Sequence, residues 1–174
     1  MNIISRPLSG VERTFSSDEL IVSKTDTKGV ITYANDIFIK MSGYTEAELL
    51  GQPHSLIRHP DMPRCVFKFL WDTIATGQEV FAYVVNRAKP GDHYWVFAHV
   101  TANYNRDRQI IGYSSNRRSP KKSAIDAIKP IYAQLLAEEQ RHADRKAGLE
   151  ASFKMLVDVV KNSGMSYEKL IFAL

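Results

Sequence analysis

Cysteine is almost missing from this chain: Cys65 is the one thiol in 174 residues. No intrachain disulfide and no thiolate metal cluster is possible. No apolar run is long enough to span a bilayer, and the polar N-terminus has no signal-peptide core. These absences predict a soluble, cytoplasmic protein. Charge of one sign is not in excess either, since 23 Lys and Arg against 19 Asp and Glu leave a net charge of +4. The basic residues are scattered, which argues against a nucleic-acid footprint. One cluster, Arg117-Arg118 and Lys121-Lys122 around Pro120, reads as an exposed junction, able to touch phosphate or an acidic lipid surface but more in keeping with a solvated turn. Nucleophile elbow, phosphate loop and zinc-spaced histidines are all absent, as are internal repeats, so the expectation is a protein that is not an enzyme.

What is present is an ordinary globular composition, 44% apolar and 24% charged, in a chain long enough for one domain plus an appendage. Two β-branched runs, 20–26 and 30–34, flank a Thr-Lys-Gly turn and predict a hairpin. Asn35-Asp36 caps a short helix that ends at Gly43, and Thr45-x-x-Glu48 is a capping box opening a second. Val66, Phe67, Leu70, Trp71 and Ile74 recur at three and four residues, predicting a main helix over 62–76. Three strands are expected at 80–88, 94–104 and 109–116. The fold class is α+β: one five-stranded antiparallel sheet with short helices on one face. The boundaries read as an N-terminal cap (1–19, with two weak helix starts), a central domain (20–118) and a C-terminal helical extension (119–174).

Alternation places Ala82, Val84, Asn86, Tyr94, Val96, Ala98 and Val100 on one sheet face and Phe81, Tyr83, Val85, Trp95 and Phe97 on the other. Both faces are apolar, so both need covering. The short helices cover one. The second needs the cap, the C-terminal helices or another subunit. In the extension, an amphipathic stripe from Ala124 to Leu136 is expected to be interrupted at Pro130, with charged helix over 138–146 and apolar helix over 149–160.

One stretch stands apart. Residues 51–63, GQPHSLIRHPDMP, crowd Gln52, His54, Arg58, His59 and Asp61 between Pro53, Pro60 and Pro63. Prolines deny this segment a long regular element, leaving a short helical turn over 54–58. A rigid polar segment of this kind is either the wall of a site or a solvated connector.

The order of elements, with TDTKGVITYAND (25–36), SGYTEAELLGQPHSLIRHPDMP (42–63) and N-R-x-K-x-G-D-H-Y-W-V (86–96), resembles the PAS family. The resemblance is nearest to the sensor domains of bacterial aerotaxis and redox receptors. It implies a cavity between sheet and short helices that binds FAD non-covalently and reports its redox state by conformational change. It also implies cofactor-binding roles for Arg58, His59, Asp61 and Asn86, with His54 and Trp71 completing the candidate set. Val80 stands where flavin-binding members often carry tryptophan. The expected partners are the flavin and either a second copy or a signalling protein, met through Phe81, Tyr83, Trp95, Phe97 and the C-terminal helices.

Two other readings stand beside this one. Haem requires an axial histidine, and with none on the 62–76 helix the candidates are His54 and His59. A cofactor-free interaction module would fill its cavity with its own side chains. A photochemical adduct is excluded, because His54 stands where light-sensing members of the family carry the reactive cysteine.

Overall fold

A computed structural model gives the fold, and residues 7–174 are described. Strands β1 (Ile21–Thr25), β2 (Ile31–Ala34), β3 (Val80–Arg87), β4 (His93–Tyr104) and β5 (Ile110–Arg118) form one antiparallel sheet in the order β2-β1-β5-β4-β3. Between β2 and β3 lie α1 (Asp36–Ser42), α2 (Glu46–Leu49), a 3-10 turn (His54–Ile57) and α3 (Arg64–Ala75). After the sheet come α4 (Lys122–Gln140), α5 (Arg145–Asn162) and α6 (Tyr167–Ala173).

Local chemistry accounts for most of these limits. Asp26 Oδ1 accepts from the Lys28 and Val30 backbone N–H groups, turning the chain between β1 and β2. Asn35 Oδ1 caps α1 through Phe38 N–H, and Thr45 with Glu48 closes the capping box of α2. The main helix starts at Arg64, two residues later than its periodicity suggests, because Pro63 sits at its N-cap in extended conformation. No helix forms over 7–19. That segment runs beside the β3–β4 turn, with His93 N–H donating to Val11 and Arg13 N–H to His93, while Arg13 Nε binds Asp92 at 2.7 Å. Residues 1–6 of the expected cap lie outside the described residues.

Two expectations for the C-terminal part are corrected. Pro130 does not interrupt α4. Both Pro130 and Asp126, whose carbonyl loses its helical partner, are exposed, so the proline lies on the solvent side of the helix. The expected charged helix over 138–146 is instead the corner of a helical hairpin, reopened where Asp144 accepts from Lys146 N–H. The hairpin is tight. A Cβ at Gly148 would lie 2.5 Å from the Glu139 carbonyl oxygen, so α4 and α5 approach this closely only over a glycine.

The sheet faces separate as alternation predicts. Ala82 pairs with Ala98, Val84 with Val96 and Asn86 with Tyr94 on the inner face, while Tyr83 pairs with Phe97 and Val85 with Trp95 on the outer one. The chain's own helices cover that outer face. Tyr132 Oη of α4 donates to the Tyr83 carbonyl at 2.6 Å, and its ring stacks on Trp95 at 6.3 Å. Phe172 of α6 meets Phe81 at 4.7 Å and Phe97 at 5.6 Å. The aromatic face read as a partner surface is therefore occupied within the chain, because these side chains are already buried or half-buried.

Candidate functional site

A cavity of about 250 Å³ lies between the inner sheet face, the 3-10 turn and α3. Phe67, Leu70, Trp71 and Ile74 of α3 and Val84, Ala98 and Val100 of the sheet form its apolar walls. Lys28, Pro53 and Ser55 line its exposed mouth. At Gly29, with φ of 80°, a Cβ would come within 3.0 Å of the Trp71 ring, so the turn and the indole close one end against each other. Trp71 meets Tyr113 edge-on at 5.6 Å. Val80 packs in the small cluster of Leu70, Ile74, Val100 and Tyr113, so aromatic surface at this end is supplied by Trp71 and Tyr113.

Asn86, Arg58, His54 and Trp71 of the candidate set line this cavity. Asn86 is buried on β3, and its backbone bridges to Arg58 at the end of the 3-10 turn. The Arg58 guanidinium lies 4.1 Å over the Phe67 ring, with Nε buried and without a hydrogen-bond partner. Burial pulls its pKa down, against the field of Glu139.

His59 and Asp61, also in the candidate set, do not line this cavity. His59 is buried beside His93, ring centroids 5.8 Å apart, and its Nδ1 accepts from Asp61 N–H at 3.2 Å. The Asp61 carboxylate lies 3.6 Å from the same nitrogen and is mostly exposed. Desolvation lowers the His59 pKa, with Asp61 opposing.

The residue that sequence reasoning missed is Arg117. Strand β5 runs to Arg118, past the expected end at 116, which pairs Arg117 with Ala98 and with Ile21 and turns its side chain inward. Arg117 is 2% exposed, whereas Arg118 is exposed. Its Nη2 donates to Ser23 Oγ at 2.6 Å, and the guanidinium sits 4.4 Å over the Phe38 ring. Nε and Nη1 have no partner. Ser23 Oγ accepts from Arg117, so its own proton is available to His54 Nε2 at 3.2 Å. Burial, with the two guanidiniums beside it, pushes the His54 pKa down to about 3, and burial pulls Arg117 down to about 10. At neutral pH the imidazole is uncharged and Arg117 remains a cation.

The cavity is thus an apolar slot with a cationic end. Lys28, Arg58 and Arg117 line it, and no carboxylate does. Buried donors without acceptors are uncommon in folded proteins and mark places that await one. Such a site suits a flat, largely apolar molecule with carbonyl or anionic oxygens at one edge. Cys65 is not among the lining residues; it is buried, and desolvation raises its thiol to about 11. The described residues contain no cluster of His, Cys, Asp and Glu able to hold a metal ion.

A five-stranded antiparallel sheet closing a cavity under short helices defines the class of α+β domain to which the chain is assigned. Residues 31–117, half of the chain, match the PAS fold family, and the chain belongs to it. Over 122 residues it is 43% identical to the aerotaxis receptor of Escherichia coli (strain K12), covering 70% of this chain and 24% of that one. It is 31% identical over 97 residues to the nitrogen fixation regulatory protein of Klebsiella pneumoniae, covering 56% and 20%. The chain therefore spans a quarter or less of the length of these relatives. Among solved structures, the dark state of the blue-light photoreceptor Aureochrome1 LOV superposes with a TM-score of 0.54 at 23% identity, over 70% of this chain and 84% of that one. A PAS domain from Colwellia psychrerythraea gives 0.54 at 18% identity, over 59% and 87%. These likenesses show the fold. The chain is a PAS-fold protein whose sequence is related to parts of the aerotaxis receptor and of the nitrogen fixation regulatory protein.

Proposed function

We propose that this chain binds FAD non-covalently in the cavity, senses redox or oxygen state in the cytoplasm, and passes that state to a signalling partner by conformational change. The observation that carries the reading is the pair of unpartnered, buried Arg117 nitrogens facing an otherwise apolar slot that also contains Asn86. The residues fit the group. Phe67, Leu70, Ile74, Val84 and Val100 provide walls for a flat ring system, and Arg117, Arg58 and Asn86 provide donors for its polar edge. About 250 Å³ takes the ring system only, since whole-ligand sites run to ~300–1,000 Å³. The remainder would leave past Pro53 and Ser55, where Lys28 offers a cation to phosphate.

When bound, a flavin supplies a redox centre whose ring changes charge and protonation on reduction. Toward that change Asn86 presents an amide that donates or accepts by rotation, and Arg117 holds negative charge at a fixed place. Asn86 and Tyr83 share β3, and Tyr83 carries the hydrogen bond from Tyr132 of α4. A shift of β3 at the cavity is thereby felt under the C-terminal helices. No helix among the described residues is long and apolar enough to cross a membrane, so the partner would be met through helices of this kind rather than through a span in this segment.

Haem fits less well. His54 Nε2 is held by Ser23, and two guanidiniums beside the imidazole oppose a cationic metal centre. His59 lies outside the cavity. A self-filled interaction module is also disfavoured, because the cavity is open.

Asn86→Leu tests the assignment. One hydrogen bond to a buried polar edge is worth roughly tenfold in affinity. The variant is expected to fold, to bind FAD about tenfold more weakly, and to lose the reduction-dependent change in proteolysis of residues 122–162. Wild-type binding and response in this variant would refute the role given to Asn86.

A further inference from the structure

Helix α3 lacks a cap of its own, because Pro63 offers its N-terminus no side-chain acceptor. The acceptor arrives from α4, 75 residues away. Glu139 Oε2 accepts from Arg64 Nε at 3.0 Å, and Oε1 accepts from Cys65 N–H and from Ser152 Oγ of α5, both at 3.0 Å. The Glu139 side chain is only 3% exposed. A carboxylate this deep is tolerated when its lone pairs are filled and it lies at the positive end of a helix. One buried charge therefore ties together α3, α4 and α5.

The other end of the same lever is the cavity. Two residues beyond Cys65, Phe67 lines the cavity and carries the Arg58 guanidinium on its ring at 4.1 Å, followed by Leu70, Trp71 and Ile74 on the same wall. Arg58 also stands in the field of Glu139. Helix α3 is thus wall at one face and clasp at its N-terminus.

The geometry points to Glu139 as a positioning residue that couples occupancy of the cavity to docking of the α4–α5 hairpin, by way of α3 and independently of the sheet. The identity of the cavity's ligand rests on the flavin reading; the coupling does not. Coupling is reciprocal, so whatever the clasp does for ligand affinity the ligand does for hairpin docking. The structure holds a second link to compare it with, the Tyr132–Tyr83 bond on the outer sheet face, which touches α4 but not α3.

Hydrogen exchange of the full chain, with and without FAD, separates the two routes in wild type, Glu139→Gln and Tyr132→Phe. In wild type, FAD slows exchange across 64–75 and, remotely, across 145–162. Glu139→Gln binds FAD roughly fivefold more weakly and loses the FAD-dependent protection of 145–162. Tyr132→Phe keeps that protection. Retention of the response in Glu139→Gln, or its loss in both variants alike, overturns the coupling. If wild type takes up no FAD, the flavin reading fails and the clasp is judged in the ligand-free chains. Glu139→Gln must then speed exchange in both 64–75 and 145–162, with Tyr132→Phe leaving 64–75 unchanged; any other pattern overturns it. Should Glu139→Gln not fold, Ser152→Ala removes one of the three donors and must show the same pattern at smaller amplitude, or the coupling is overturned.

Discussion

Replacing Arg117 with methionine is expected to stabilise the ligand-free protein and to abolish its retention of flavin. The two effects have opposite sign because one feature causes both. Arg117 is 2% exposed, makes one hydrogen bond, to Ser23, and leaves Nε and Nη1 without partners. An unsatisfied buried donor costs about 1–3 kcal/mol, and exchanging a buried ion for an apolar side chain of similar size is often stabilising. Water in the cavity offsets part of this, so the expected gain is about 1 kcal/mol, read as a higher urea midpoint at unchanged slope. Against the ligand, the loss of two charge-assisted hydrogen bonds at roughly 1.5–3 kcal/mol each weakens binding on the order of a hundredfold or more. Flavin fluorescence during titration measures that term. A variant both less stable and fully able to hold flavin would mean that Arg117 serves packing, not the ligand.

The second large effect is expected in acid. Burial, then the Arg117 and Arg58 guanidiniums, hold the His54 imidazole down to about 3 from 6.5. Its folded-state pKa is depressed, so above pH 6.5 neither state carries the proton and stability is at its full value. As pH falls from 6.5 towards 3 the unfolded chain binds a proton that the folded chain refuses. Stability is then lost at about 1.4 kcal/mol per pH unit. His54 keeps some accessible surface toward the cavity, where water moderates the penalty, giving a total of roughly 2–4 kcal/mol. Desolvation lowers His59 too, and it titrates with the same sign, so the informative quantity is a difference between proteins. Glutamine at position 54 keeps an acceptor for Ser23 but no titrating ring. The ligand-free His54→Gln variant should therefore lose about one proton from the pH dependence of unfolding between pH 6.5 and 3. Superimposable acid limbs in the two proteins would remove His54 from the buried network.

Much of the fold is legible in local pattern. Period-two alternation in β3 and β4 assigns the faces correctly, and with them the inward direction of Asn86. The caps of α1 and α2 follow from Asn35 and from Thr45 with Glu48. The site is less legible, for three separate reasons. In the proline-bounded segment no periodicity exists to say which way a side chain points, so His59 and Asp61 could not be told from Arg58 and His54 by position. Arg117 was hidden by its neighbours: beside Arg118, Lys121 and Lys122 it resembles an exposed basic cluster. A signal was nevertheless present, because extending the alternation of Tyr113 and Ser115, both cavity-lining, by one step places Arg117 on the inner face. Glu139 had no local signal at all. Its partners lie on α3 and α5, and only the tertiary fold brings a charged residue of a polar helix end to the capless start of another helix.

What the cationic slot holds is tested most directly by the visible absorption spectrum of the full chain, purified without added cofactor. A flavin spectrum that bleaches with dithionite, with FAD released into the supernatant on heating, is the predicted result. A Soret band, or a colourless protein that takes up no added FAD, would contradict it.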